Sequence, residues 1–141
     1  MLKTEQGSQR VLLRDQKNSR KQGDVGLAIA IAWFVEHGHN VSIPLTDSQD
    51  YDLVVEFEGR LCGIQVRTTY HRKENGSYQA NLRVLGGNRS GTGKVKQFDP
   101  ELVDFLFIVT EDGQKYLIPS GAIHNRSSIA LCNKYAEFRV E

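Results

Sequence analysis

Asp52, Gln65 and Arg67 are the residues of this chain whose types and spacing could do chemistry together. Asp52 opens Asp52–Phe57, an apolar-alternating stretch with Leu53, Val55 and Phe57 on one face. Gln65 and Arg67 belong to Arg60–Thr69, where Leu61, Gly63, Gln65 and Arg67 share one face and Cys62, Ile64, Val66 and Thr68 share the other. Glu58-Gly59 between them is a turn signal. If it closes as a two-residue loop, Phe57 faces Arg60 and counting outward sets Asp52 opposite Gln65. Directly opposed residues hold their Cβ atoms roughly 4.5–5.5 Å apart. Arg67 then projects from the same face, with the Val66 carbonyl between them. A carboxylate, an amide oxygen and a backbone carbonyl suit Mg2+, a hard cation that takes oxygen ligands and keeps several waters. A neighbouring guanidinium can stabilise developing negative charge. The chemistry implied is phosphodiester hydrolysis. The competing reading is a solvated strand end with an ordinary surface Asp–Arg pair, and a longer loop would shift the register and break the Asp52–Gln65 pairing.

The elements that must hold this hairpin are legible around it. Val25, Ala28, Ile29, Ala32 and Trp33 recur at helical spacing, broadened by Leu27, Ile31, Phe34 and Val35, and Gly38 follows as a terminator. The expectation is a mostly buried helix. Val41–Ile43 reads as a short strand ended by Pro44, and Ser77–Leu85 as another strand. Gly86–Lys96 is a Gly- and base-rich loop. Phe105–Thr110 and Gln114–Ile118 form a second hairpin, and Tyr135–Val140 reads as a last strand. One helix followed by mostly antiparallel strands predicts an α+β domain with a mixed β-sheet and the N-terminal helix packed on it. Residues 1–20 read as an N-terminal arm or short helix, and 21–141 as a single domain.

At 141 residues the chain has room for one core. No apolar run approaches the roughly 20 residues that cross a bilayer, and the polar, mixed-charge start is unlike a signal peptide. Cys62 and Cys132 have no zinc-ligand spacing. The expected location is cytoplasmic, including nucleoid or organelle DNA. Net charge is only +1, but residues 47–58 carry five acids and no base, whereas residues 60–96 carry eight Lys/Arg against one acid. An acidic cluster between basic stretches suits a protein that holds a metal ion and grips a polyanion.

At this point the chain resembles PD-(D/E)XK endonucleases associated with group I introns. Lys21-Gln22-Gly23-Asp24-Val25-Gly26 with its apolar helix is similar to their opening, and archaeal Holliday-junction resolvases open similarly. Tyr51-Asp52-Leu53-Val54-Val55 resembles the "PD" strand, and Gly63-Ile64-Gln65-Val66-Arg67-Thr68 the "(D/E)XK" strand. Val103-Asp104-Phe105 through Tyr116-Leu117-Ile118-Pro119 is similar to the second hairpin of the intron-associated group. The resemblance spans about residues 17–140 and implies a restriction-endonuclease-like core.

By this resemblance Asp52, Gln65 and Arg67 are the catalytic set, with Mg2+ or Mn2+ held by Asp52, Gln65 and the Val66 carbonyl. Gln65 takes the place of the second acid, and Arg67 that of the motif Lys. Leu27 stands where many members carry a helix Glu, and Asp24, one turn earlier, is the candidate substitute. The implied activity is metal-dependent, site-specific DNA cleavage of the homing type. A catalytically impaired DNA-binding protein and a Holliday-junction resolvase-like enzyme are the alternatives.

Beside these motifs, Lys21, Arg72, Lys73, Arg83, Arg89, Lys94 and Lys96 are the expected contacts to double-stranded DNA, with Arg10, Arg14, Lys17 and Arg20 as further backbone contacts. One small domain cuts one strand, so double-strand cleavage implies a homodimer. The intron-associated group extends this to a homotetramer. The region of Phe98, Phe105, Phe107, Tyr135 and Phe138 is the expected pairing surface.

Overall fold

The computed structural model describes residues 16–85, 95–125 and 127–141. Its single long helix, α1, runs Ser19–Glu36. Asn18 caps it, its side chain accepting from the Arg20 and Lys21 amides at 3.0 and 3.4 Å. Gly38, at φ +84°, ends it, with the His39 amide bonding back to the Phe34 carbonyl at 3.0 Å. The strands follow as β1 Val41–Ser42, β2 Leu53–Phe57, β3 Arg60–Thr69, β4 Gln79–Asn81, β5 Val84–Leu85, β6 Val95–Lys96, β7 Phe105–Thr110, β8 Lys115–Pro119, β9 Ser128–Ala130 and β10 Arg139–Val140.

The main sheet has the order β1-β2-β3-β7-β8-β10. The central β3 pairs antiparallel with β2 and parallel with β7, so the sheet is mixed. Parallel partners need a crossover, and residues 70–104 supply it. α1 covers one face, where Ala30, Trp33 and Phe34 meet Leu53, Val55, Cys62, Ile64, Val66, Phe107 and Val109. The other face is covered by the two-stranded β4–β9 ribbon and its flanks, which bring Ala80, Leu82, Phe98, Ile129, Leu131 and Tyr135 onto Leu106, Ile108, Tyr116 and Ile118. β7 is buried on both faces, which explains its unbroken apolar run Phe105–Val109.

Several expectations are corrected. The helix buries Gly26, Ala30, Trp33 and Phe34, whereas Ala28, Ala32 and Val35 are exposed. Gly26 lies close against β3. A Cβ there would come within 2.4 Å of the Thr68 Cγ2 methyl. Ser77–Leu85 is not one strand. β4 joins β9 and β5 joins β6, in two separate ribbons. Tyr135–Val140 is mostly a 3-10 helix, Asn133–Phe138, with only Arg139–Val140 extended. The aromatic region expected to pair subunits is largely interior. Phe98, Phe107 and Tyr135 are buried, and Phe105 and Phe138 pack against the core.

Gly26→Ala should destabilise the fold by about 1–2 kcal/mol, because overpacking at the helix–sheet contact outweighs the gain in helix propensity. The intruding atom is a side-chain methyl, so adding Thr68→Ser should restore most of the loss in urea denaturation. A full loss persisting in the double variant would place the clash elsewhere.

Candidate active site

The hairpin turn behaves as its sequence suggests. Glu58 and Gly59 both take positive φ, 49° and 79°, the two-residue loop whose twist matches paired strands. Phe57 therefore faces Arg60, and the ladder runs back to Leu53 opposite Ile64. There it stops. Asp52 does not continue the ladder to Gln65. Its amide donates to the Ile64 carbonyl at 2.8 Å, and its carboxylate swings in to accept from the Val66 amide at 2.8 Å. The side chain thus takes over the role of the missing strand, satisfying an amide that β2 is too short to reach. Strand alternation turns the Val66 carbonyl to that same open edge.

Tyr51 fixes the approach of this segment. Its ring lies across Gly63, where an added Cβ would meet ring atoms at 3.2 Å. Gly63 is held from the other side by Asp104, whose carboxylate accepts from the Gly63 amide at 2.8 Å and whose own amide donates to the Gly63 carbonyl at 2.9 Å.

Gln65 and Arg67 lie beside Leu106 and Ile108 of β7, on the face away from α1. Both neighbours are fully buried; Gln65 is buried with them and Arg67 half-buried. Gln65 is 5% exposed. Its Nε2 donates to the Asp50 carbonyl at 3.0 Å, which fixes the amide orientation and brings its head beside the Asp50–Asp52 segment. Its Oε1 is buried and has no hydrogen-bond partner among the described residues. The Arg67 Nε is likewise buried and unpartnered. Asp52 keeps an exposed side, yet the protein packed around its carboxyl group desolvates it and pushes it above its ordinary range, opposed by the Val66 amide and the Arg67 charge. Burial also pulls Arg67 down, opposed by the Asp52 charge. The two feel each other without a direct ion pair among the described residues. Orphaned polar atoms in such a place are unusual, and together they describe a site built for something polar.

A hard divalent cation fits these donors. Asp52 supplies charge, and the Gln65 Oε1 is a neutral oxygen without a partner among the described residues. No group of three or more His, Cys, Asp or Glu that could hold a metal exists among the described residues. The candidate oxygen donors are thus one carboxylate, one side-chain amide and one backbone carbonyl, which leaves the remaining positions of an octahedral ion to water.

Other expected residues are spread more widely. Asp24 is exposed on α1 and makes no hydrogen bond or ion pair among the described residues, and Leu27 packs against the helix-side core. Lys21, Lys73 and Arg83 are exposed. Arg72 is engaged, stacking on the Tyr78 ring, bonding its hydroxyl and pairing with Asp112 at 3.7 Å. Arg10, Arg14, Arg89 and Lys94 lie outside the described residues. Lys96 reaches the site itself, its Nζ at 3.1 and 3.2 Å from the two Asp50 carboxylate oxygens. Asp50 is the residue that sequence reasoning missed. It sits in the acidic 47–58 stretch, but only the fold shows its carbonyl holding Gln65.

The arrangement has relatives. A solved structure described as that of a bacterial homing endonuclease, I-Ssp6803I, matches with a TM-score of 0.66 at 24% identity, over 86% of this chain and 87% of that one. At that identity the likeness concerns the fold. A looser likeness, TM-score 0.45 at 12% identity, covers 81% of this chain and 95% of MepB. No curated protein matches the chain. The family model described as PD-(D/E)XK endonuclease matches residues 17–139, which takes in both strands of the site. The chain therefore belongs to the PD-(D/E)XK endonuclease family.

Proposed function

We propose that this chain is a divalent-metal-dependent DNA endonuclease, site-specific and of the homing type, with Asp52, Gln65 and Arg67 as its catalytic set. The observation that carries the reading is the pair of buried atoms, Gln65 Oε1 and Arg67 Nε, unpartnered among the described residues and close to the Asp52 segment in a chain of this family. The homing type rests on the fold shared with a bacterial homing endonuclease.

Asp52 and Gln65, with the Val66 carbonyl, would hold Mg2+ or Mn2+. When bound, such an ion polarises a phosphoryl oxygen and lowers the pKa of bound water. Asp52 enters already oriented, because the Val66 amide fixes one carboxylate oxygen and leaves the other free. Gln65 is held by Asp50, so its oxygen is presented without a rotamer search. Arg67 offers a fixed positive charge to the phosphate as negative charge develops. Hydrolysis forms one bond from water oxygen to phosphorus and breaks one phosphorus–oxygen ester bond. Exposed Lys21, Lys73 and Arg83 would contact the DNA backbone, and a homodimer or homotetramer would supply the second cut.

One observation favours a second reading. Arg67 stands at the motif Lys and cannot donate a proton at ordinary pH, which suits a scaffold that holds DNA without cutting it. Incubation with supercoiled and random-sequence DNA in Mg2+ or Mn2+ separates the two. Nicking or linearisation that EDTA stops is the expected result. Binding without cleavage, turned into cleavage by Arg67→Lys, would establish the second reading instead.

Metal binding itself should raise the melting temperature, since an ion that binds only the folded state stabilises it by mass action. Thermal unfolding with and without Mn2+ should show this shift in the wild type and not in Asp52→Ala.

A further inference from the structure

Two features of the crossover meet at the site. Lys96 ends β6, at 3.1 and 3.2 Å from both oxygens of the Asp50 carboxylate. The Asp50 backbone carbonyl in turn accepts the Gln65 Nε2 at 3.0 Å. The Asp50 side chain is 25% exposed and the Lys96 side chain 53%, so the carboxylate sits at the rim of the site while the lysine reaches it from the solvent side. β6 pairs with β5, in register Val84 with Lys96 and Leu85 with Val95. A single residue thus couples a ribbon of the crossover to the amide that presents the Gln65 oxygen.

We infer that Lys96 is a positioning residue for Gln65, acting through Asp50, and not primarily a phosphate contact. Asp50 lies on a segment outside the strands, between β1 and β2. Tyr51 anchors it on one side through Gly63, and Lys96 anchors it on the other. With the carboxylate gripped by two contacts, the Asp50 peptide is held where its carbonyl can take the Gln65 amide. That hydrogen bond decides which end of the amide is taken by Asp50 and leaves the oxygen as the end without a partner among the described residues. Released, the Gln65 head can turn over and present nitrogen, a donor, where a cation needs an acceptor. Outer groups that orient a metal ligand typically matter 10- to 100-fold in affinity. The purpose of this latch depends on the reading of Gln65 as an oxygen ligand, but its geometry does not.

The test uses the full chain, first without metal. The Gln65 side-chain amide is followed by 15N-resolved NMR, its signal identified by its absence in Gln65→Met. Lys96→Met and Asp50→Asn cut the ion pair from opposite ends and leave the Asp50 carbonyl in place. Both should shift the Gln65 amide signal and speed its hydrogen exchange severalfold, and Lys96→Arg should restore it. Calorimetric titration with Mn2+ should then show affinity lower by on the order of 10-fold in Lys96→Met and Asp50→Asn. An unchanged Gln65 amide in both variants overturns the inference, and weaker DNA binding with that signal unmoved would make Lys96 a phosphate contact. If the amide responds as expected but the wild type takes up no Mn2+, the latch stands and the metal reading of the site falls.

Discussion

Replacing Asp52 with Asn should lower DNA cleavage by on the order of 1,000-fold or more, about 4 kcal/mol of transition-state stabilisation, with the fold intact. Asn keeps an oxygen for the Val66 amide, so the hydrogen bond that replaces the missing strand survives. What disappears is the one carboxylate among the proposed metal donors. DNA binding measured in Ca2+-free buffer should be unchanged or slightly tighter, since an anion that repels phosphate has been removed. The pH dependence follows from the direction of the Asp52 shift. Partial desolvation raises its carboxyl above the ordinary 3.8, and the carboxylate is the form that binds metal. Cleavage by the wild type should therefore fall as pH drops through that raised value, at a higher pH than an ordinary aspartate would give. Stability runs the other way. The folded chain holds this proton more tightly than the unfolded chain, so the Asp52 contribution to stability declines as pH rises from 3.8 through the folded value and is flat above it. Asp52→Asn should abolish that component in denaturation curves taken across the acid range. Wild-type cleavage by Asp52→Asn would remove Asp52 from the chemistry.

Much of this site could be read from local pattern, and the reasons are physical. Glu58-Gly59 specifies a two-residue turn, and a turn of fixed length sets every pair that follows it, so Phe57–Arg60 back to Leu53–Ile64 was determined by counting. The same counting failed at Asp52, because a ladder continues only while backbone partners exist, and a carboxylate can substitute for one. β7 and β8 were equally plain, one as an apolar run and both as a hairpin. The crossover was not. β4 pairs with β9 across nearly fifty residues, and whether Ser77–Leu85 is one strand or two depends on those distant partners rather than on its own alternation. The burial of Gln65 and half-burial of Arg67 belong to the same class. Alternation put them on a common face, but the parallel register with Leu106 and Ile108, and the ribbon beyond, cover that face at Gln65 and partly at Arg67. Lys96 counted as one basic residue among several until the fold set it against Asp50.

The other large effect expected is at Arg67. Arg67→Met keeps length and apolar packing beside Ile108 while deleting the charge. Cleavage should drop by roughly 100- to 1,000-fold, the usual cost of losing one group that stabilises developing anionic charge. The Arg67 Nε has no partner to leave stranded, and no direct ion pair is broken among the described residues, so stability should move by less than about 1 kcal/mol. Arg67→Lys is the more informative change. Burial pulls the Arg67 guanidinium down, but an arginine so perturbed still stays charged across the working range. A lysine in the same place starts near 10.4 and is lowered by the same burial. If the residue acts as a fixed cation, the lysine variant should cleave near neutrality and then lose activity as pH rises through its lowered pKa. The wild type should show no such alkaline loss. If the motif position works as a proton carrier, the wild type should be nearly inert and Arg67→Lys should gain cleavage. A pH–rate profile of the two proteins on one substrate decides between them, and wild-type cleavage by Arg67→Met would remove the residue from the chemistry altogether.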